Sequence, residues 1–240
     1  MTERRFRNTI LDHLDSDAIE RLQLQHANFK LAEVLERNGG RIEHVVFLED
    51  GIGSMTTVFE DGSQVEAGMF GFEAAIGAAA LMGVVRANNQ IAMQVPGHGY
   101  RTTKEAAERE FRRADVFHDL VLRYVQSQSV QTSQAAGCNA RHNVLQRLSR
   151  WLLVSRDRVT GDVLEFTQDF LAAMIGVARP AVNAVAQQLQ ERGLIRYSRG
   201  RVEIVDRAGL EQVTCECYWK IRSDLEEFRQ YADQRVRRAA

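Results

Sequence analysis

Arg179, Asn183 and Gln187 recur every four residues in the stretch Thr167 to Ile195. That spacing lines them up on one helical face, where an arginine fork suits a guanine edge and an asparagine amide suits adenine. A little further on, Arg196, Arg199 and Arg201 cluster around Ser198-Arg199-Gly200, and guanidinium groups of this kind bind phosphate bidentately. The chemistry on offer is contact with nucleic acid, provided that local elements present these side chains together.

The flanking residues supply such elements. Thr167 can cap a helix with Asp169 in its first turn, and Phe170, Leu171, Met174 and Ile175 share one face. Gly176 suits a tight inter-helix turn, Val177 plugs the angle between the helices, and Pro180 fits the first turn of a second helix starting near Arg179. Val182, Val185, Ala186 and Leu189 form the buried stripe of that helix, leaving Arg179, Asn183, Gln187 and Gln190 outward until Gly193 closes it. LIRYSRGRVEIVD then predicts two short strands, the wing of a winged helix-turn-helix. A plain helical hairpin shows the same apolar spacing. The coincidence of hinge glycine, arginine at the second helix start and a basic hairpin favours the winged reading. The candidate DNA contacts are Thr167, Gln168, Arg179, Pro180, Asn183, Gln187, Ser198, Arg199 and Arg201.

The 240 residues are enough for two domains, and 45% hydrophobic residues can fill two cores. The net charge of −1 does not point to nucleic acid, but the stretch Arg141 to Arg207 has many arginines and no lysine, and Arg235, Arg237 and Arg238 follow near the end. A local basic patch is expected. No apolar run is long enough for a bilayer and the N-terminus lacks a secretory apolar core, so a cytoplasmic protein without a membrane partner is expected. Cys138, Cys215 and Cys217 are an odd number and read as reduced structural thiols. One C-x-C without a second pair nearby is weak evidence for metal, so no metal ligand is assigned.

Along the chain, Thr9 to Leu24 reads as a short amphipathic helix. From Phe29 to about Pro96, HVVFLED, SMTTVFE, SQVEAGMF and QIAMQVP read as strands separated by glycine turns, predicting an antiparallel β roll. Gly68 to Ala87 is rich in small residues. Either a helix start there holds an anion, or alanine and glycine let a helix pack closely on the sheet; packing is favoured. A single long helix is expected from Thr103 to about Gln134. Phe111, Ala114, His118, Val121 and Val125 form one stripe suited to a second subunit, beside a Phe117, Leu120, Tyr124 stripe. Gly137 is the expected hinge before RHNVLQRLSRWLLVSRDRV, and Arg207 to Ala232 reads as a final helix. The division is a sensing-like β roll over 1–102, a dimerisation helix over 103–136 and a winged helix-turn-helix domain over 137–240, an α+β fold.

That order, together with RLSRWLLVSRDRV, FTQDFLAAMIGVARPAVNAVAQQLQERGLIRYSRGRVEIVDRAGL, TCECY, GMFGFEAAIG and VVRA, resembles the Crp/Fnr superfamily of bacterial transcription regulators. The resemblance implies a cyclic-nucleotide-binding-like roll and a homodimer bound to a palindromic operator in double-stranded DNA, with RNA polymerase as a further partner. It also implies a pocket in which a glutamate holds ribose and an arginine pair holds the cyclic phosphate. Glu73 matches the glutamate, whereas Leu81 and Met82 stand where the arginine pair belongs, with Arg86 the nearest charge. An anion buried without a charged donor is strongly disfavoured, so cyclic AMP is not the expected effector, no cofactor is assigned and the effector is unidentified. The recognition helix also departs from the catabolite-activator pattern Arg-Glu-x-x-x-Arg, which falls here on Arg179, Pro180 and Ala184. The competing function is a ligand-binding module acting on a protein partner. No phosphate loop, nucleophile elbow or H-E-x-x-H supports an enzyme.

Overall fold

The computed structural model describes residues 5–198 and 200–239. A 3₁₀ turn, Leu11–His13, leads into α1 (Ser16–Leu22), which starts where the Asp15 carboxylate accepts from the Ala18 N–H. Seven strands follow: β1 (Gln25–Phe29), β2 (Val34–Glu36), β3 (His44–Leu48), β4 (Ile52–Val58), β5 (Gln64–Phe70), β6 (Gln90–Val95) and β7 (Gly97–Thr103). They make two antiparallel sheets, ordered β1-β7-β3 and β2-β6-β4-β5. The four strands read from the sequence are β3 to β6. β7 escapes a pattern reading because its Gly97 and Gly99 lie against backbone: an added Cβ would come within 2.0 Å of the Asp50 carbonyl oxygen and 2.1 Å of the Phe47 one. The small-residue stretch after β5 packs as a 3₁₀ turn, Ala78–Met82, with Ala74, Ala75, Ala78 and Ala80 buried.

The expected single helix after the roll is two. α2 (Lys104–Phe111) ends, Ala114 takes a left-handed φ of +55°, and Asp115 caps α3 (Val116–Arg141) by accepting from the Val116 N–H. Gly137 does not break α3. It lies on an exposed side of the helix, and the break comes at His142–Asn143. There the Asn143 side chain accepts from the Gln146 N–H while Gln146 reaches back to the Asn143 N–H, a capping box that starts α4 (Val144–Arg156).

β8 (Val163–Glu165), α5 (Gln168–Ile175), α6 (Arg179–Glu191), β9 (Ile195–Ser198) and β10 (Arg201–Ile204) complete a small domain whose sheet is ordered β8-β10-β9. The expected final helix is also two, α7 (Arg207–Val213) and α8 (Glu216–Ala239), broken at Thr214-Cys215. α8 runs antiparallel along α3, with Cys215 against Cys138 at one end and Arg235 paired to Asp119 at 2.6 Å at the other. It joins two cores. Phe228 and Ala232 sit in the roll's core with Phe117, Leu120 and Tyr124, while Tyr218 and Ile221 sit in the second core with Trp151, Leu171, Val182 and Leu189. The second stripe of α3 is therefore covered from within the chain. Among the described residues, no single helix is long and apolar enough to cross a membrane.

Ile52 and Met69 of the roll also enter the second core, so the two halves share apolar surface. At that seam Glu66 is buried, accepts from Trp151 Nε1 at 3.0 Å and bonds Ser54. Burial pushes its carboxyl up from the ordinary 4.5 to about 7, against the favourable influence of Ser54, Arg150, Trp151 and Arg158. The folded chain thus holds a proton that the unfolded chain releases. The contribution of Glu66 to stability is fully present below pH 4.5 and is lost as pH rises through about 7, on the order of 3 kcal/mol in all. Glu66→Gln keeps an acceptor for Trp151 without the charge. Urea unfolding at intervals from pH 5 to 8 should show a decline for the parent that is much shallower in the variant, and parallel slopes would exclude Glu66 as the source.

Candidate nucleic-acid interface

The Phe170 N–H donates to Thr167 Oγ1 at 3.1 Å, fixing the start of α5, and Leu171, Ala172, Met174 and Ile175 are buried. Gly176 follows with φ +62°, and the Val177 N–H closes the turn on the Ala172 carbonyl at 3.0 Å. Ala178 precedes α6, whose second residue is Pro180. The α5 and α6 axes meet at 106°, within the range of a DNA-binding helix-turn-helix. Val182, Ala186 and Leu189 face the core, Val185 is only half-buried, and Arg179, Pro180, Asn183 and Gln187 are exposed.

Each outward candidate has a definite neighbour. Gln168 donates to Asn183 Oδ1 at 2.9 Å, tying α5 to α6 across their exposed side. Arg179 lies 3.3 Å from Asp169, and Gln187 donates to Glu191 at 3.0 Å. Gln190 is not free as expected, because its Oε1 accepts from the Tyr197 N–H at 2.8 Å and anchors β9. The β9–β10 hairpin forms as read, with Ser198 and Arg201 exposed at its tip; Arg199 lies outside the described residues. Tyr197 Oη donates to the Phe166 carbonyl at 3.2 Å, holding the wing against α5. β8, which sequence reading missed, widens the wing to three strands.

The expected basic patch is smaller than the arginine count suggests. Arg147, Arg150 and Arg158 are buried, Arg207 pairs with Asp157 and Glu211, and Arg235 pairs with Asp115 and Asp119. What remains outward near α6, among the described residues, is Arg179, Arg192, Arg196 and Arg201.

Residues 146–213 match the family model of the Crp-like helix-turn-helix domain. Compared by sequence with curated proteins, the chain has no significant match. Its fold is similar to that of FixK2 from Bradyrhizobium japonicum, with a TM-score of 0.68 at 12% identity over 80% of this chain and 98% of that one. It is likewise similar to the c-di-GMP responsive global regulator CLP of Xanthomonas campestris, with a TM-score of 0.63 at 19% identity over 79% and 99% of the two chains. A transcriptional regulator of the CRP family from Thermus thermophilus gives 0.63 at 20% identity over 78% and 95%. The chain thus shares the fold of these regulators and carries a Crp-like helix-turn-helix domain over residues 146–213.

The four pocket candidates do not meet in one cavity. Glu73 is buried and ion-paired to the fully buried Arg158, with Nη2–Oε1 at 2.7 Å and Nε–Oε1 at 2.9 Å. Arg158 also donates to the Val154 carbonyl and to Gln131 of α3. Beside Glu73, the space bounded by Tyr124, Ser127, Gln128, Gln131 and the α8 residues Ile221, Asp224 and Leu225 amounts to about 10 Å³, room for one water. Ser127 bonds the buried Asp224 there. Leu81 is buried in the roll, Met82 is exposed, and Arg86 donates to the Gly39 carbonyl at 2.7 Å. No sequence signal marked Arg158 or Asp224, since each reaches this space from a distant element.

The five seam candidates do not share a free face either. Phe111 ends α2, Ala114 lies in the break and Val121 is fully buried in the roll's core. His118 is half-buried, with its ring 4.5 Å from Phe111, and Val125 is half-buried. The exposed stripe of α3 is instead Leu122, Gln126, Ser129, Ser133, Ala136, Gly137 and Ala140, uncharged until Arg141 at the end of the helix.

Removing one partner of the Arg158–Glu73 pair strands a charge in the interior. Arg158→Met should lower the urea-unfolding free energy by about 3–5 kcal/mol, and Glu73→Leu combined with Arg158→Met should recover most of that. A double variant as unstable as the sum of the two singles would show that the pair is not coupled.

Proposed function

We propose that the chain is a homodimeric, sequence-specific transcription regulator that reads a palindromic operator through α6 and the wing, acts in the cytoplasm alongside RNA polymerase and does not answer to cyclic AMP. The observation that carries this reading is the outward face of α6, with Arg179, Asn183 and Gln187 exposed beside a wing that bears Arg201. Arg179 suits guanine, Asn183 and Gln187 suit adenine, and Arg201 suits phosphate. The exposed stripe of α3, uncharged until Arg141 and rich in serine, alanine and glycine, supports a dimer, because two such stripes can approach closely while burying little charge. Two half-sites about one helical turn apart then follow. Insensitivity to cyclic AMP is supported by the occupation of Glu73 by Arg158 and by the closed space next to it. The roll over 1–102 keeps the place of a sensing domain ahead of the dimerising and DNA-binding parts.

The test is selection of bound sequences from random duplex DNA by the purified chain without ligand, followed by cyclic AMP titration into the best site. A palindrome recovered without ligand and unmoved by cyclic AMP is expected; salt-labile, sequence-indifferent binding would favour the protein-partner reading. On that site Arg179→Ala should lose about 1–3 kcal/mol of discrimination at one base pair. Arg201→Ala should weaken all sequences alike and reduce the salt slope by about 0.9. Equal effects of both substitutions on specific and random DNA would overturn the assignment of Arg179 as a reader.

A further inference from the structure

Away from the DNA-facing side, Cys138 and His142 stand one turn apart at the end of α3, and Cys215 and Cys217 flank the first residue of α8. Their ligand atoms, three Sγ and one imidazole nitrogen, all lie within 4.8 Å of one another. Cys138 Sγ is 3.6 Å from Cys215 Sγ, and Cys217 Sγ is 3.5 Å from His142 Nδ1. Bonds of about 2.3 Å to sulfur and 2.0–2.1 Å to nitrogen at tetrahedral angles give ligand–ligand edges of about 3.5–3.8 Å. Two edges already have that length. A disulfide needs sulfurs at about 2.05 Å, and an iron–sulfur cluster spreads its cysteines over separate irons; neither matches this spacing.

The surroundings are those of a metal site. His142 Nε2 sits 3.2 Å from the Glu216 carboxylate, the outer contact that orients an imidazole and leaves Nδ1 as ligand. Gln134 Nε2 donates to Cys217 Sγ at 3.1 Å. Arg150, buried with no hydrogen-bond partner for its Nε, lies near Cys138. Three thiolates and one imidazole around a divalent ion carry one net negative charge, which the guanidinium offsets.

We propose that Cys138, His142, Cys215 and Cys217 hold one Zn(II) ion in a closed tetrahedral site that clamps the end of α3 to the start of α8. On binding, three thiols release their protons to solvent, the ion sheds its waters and no electron moves. Because His142 is the last residue before the Asn143 cap of α4, the ion fixes the hinge itself and, through α8, the seating of the DNA-binding domain.

The experiment uses the full chain, without a histidine tag, purified under reducing conditions. Elemental analysis should find one zinc per chain. After chelation, Co(II) titration should give the strong thiolate-to-cobalt charge-transfer absorption and the visible bands of a tetrahedral site, reversed by Zn(II). Cys217→Ser and His142→Ala should weaken Co(II) binding at least tenfold, and Glu216→Gln by up to about tenfold. The unaltered protein decides the matter even where a variant misfolds. Folded, reduced chain that takes up neither metal would overturn the proposal, as would iron in place of zinc or a Cys138–Cys215 disulfide in metal-free protein as isolated.

Discussion

The arrangement of the two halves depends on Arg158. Its guanidinium leaves the end of α4, crosses the seam and meets Glu73 of the roll at 2.7 Å with both groups almost wholly out of water. Such a pair adds little net stability, because desolvating two ions offsets much of their attraction. What it does impose is position. A guanidinium that also binds the Val154 carbonyl and Gln131 has one geometry in which each of its nitrogens has a partner, and shifting the small domain would strand them. Glu66 with Trp151 and the shared apolar residues Ile52 and Met69 keep to the same register.

The same contacts fill the place where a small ligand would be expected. The roll presents Glu73 and α3 presents Tyr124, Ser127 and Gln128, but α8 lies over them and Asp224 takes the Ser127 hydroxyl. Burial drives the Tyr124 phenol well above its ordinary range, so it stays protonated beside the acidic Glu73. Leu81 and Met82 offer no charge to a phosphate, and Arg158 neutralises Glu73 from the opposite side.

What the sequence made legible was local. The helix-turn-helix follows from a cap at Thr167, a left-handed glycine at 176 and a 3.6-residue stripe, all within thirty or so residues, and the roll follows from its turns. What it left hidden was set by long-range packing. Arg158 and Glu73 are 85 residues apart and Cys138 and Cys215 are 77 apart, so neither the closed pocket nor the thiol cluster shows in any window. A lone C-x-C looks weak until the fold brings a cysteine and a histidine to it. The helix breaks were readable and were misplaced: Gly137 has the residue type of a hinge, yet it is the Asn143–Gln146 capping box that competes successfully for the chain. The seam on α3 failed for a related reason, since heptad spacing cannot say which of two stripes another part of the same chain already covers.

Under the proposed function, the surface arginines let a chain of net charge −1 favour one sequence over many. Arg179 faces Asp169, Arg196 faces Glu203 and Arg201 faces Glu165. These partners are substantially exposed, so each pair contributes at most about 1 kcal/mol. A bidentate contact with the correct base is worth about 1–3 kcal/mol, enough to take Arg179 from Asp169. A diffuse phosphate attraction gains less against the same carboxylates, whose negative charge also lowers the field that draws the chain to random DNA. The acidic neighbours therefore cut general affinity more than they cut recognition. They bias the interface toward the site where Arg179, Asn183 and Gln187 all find their edges.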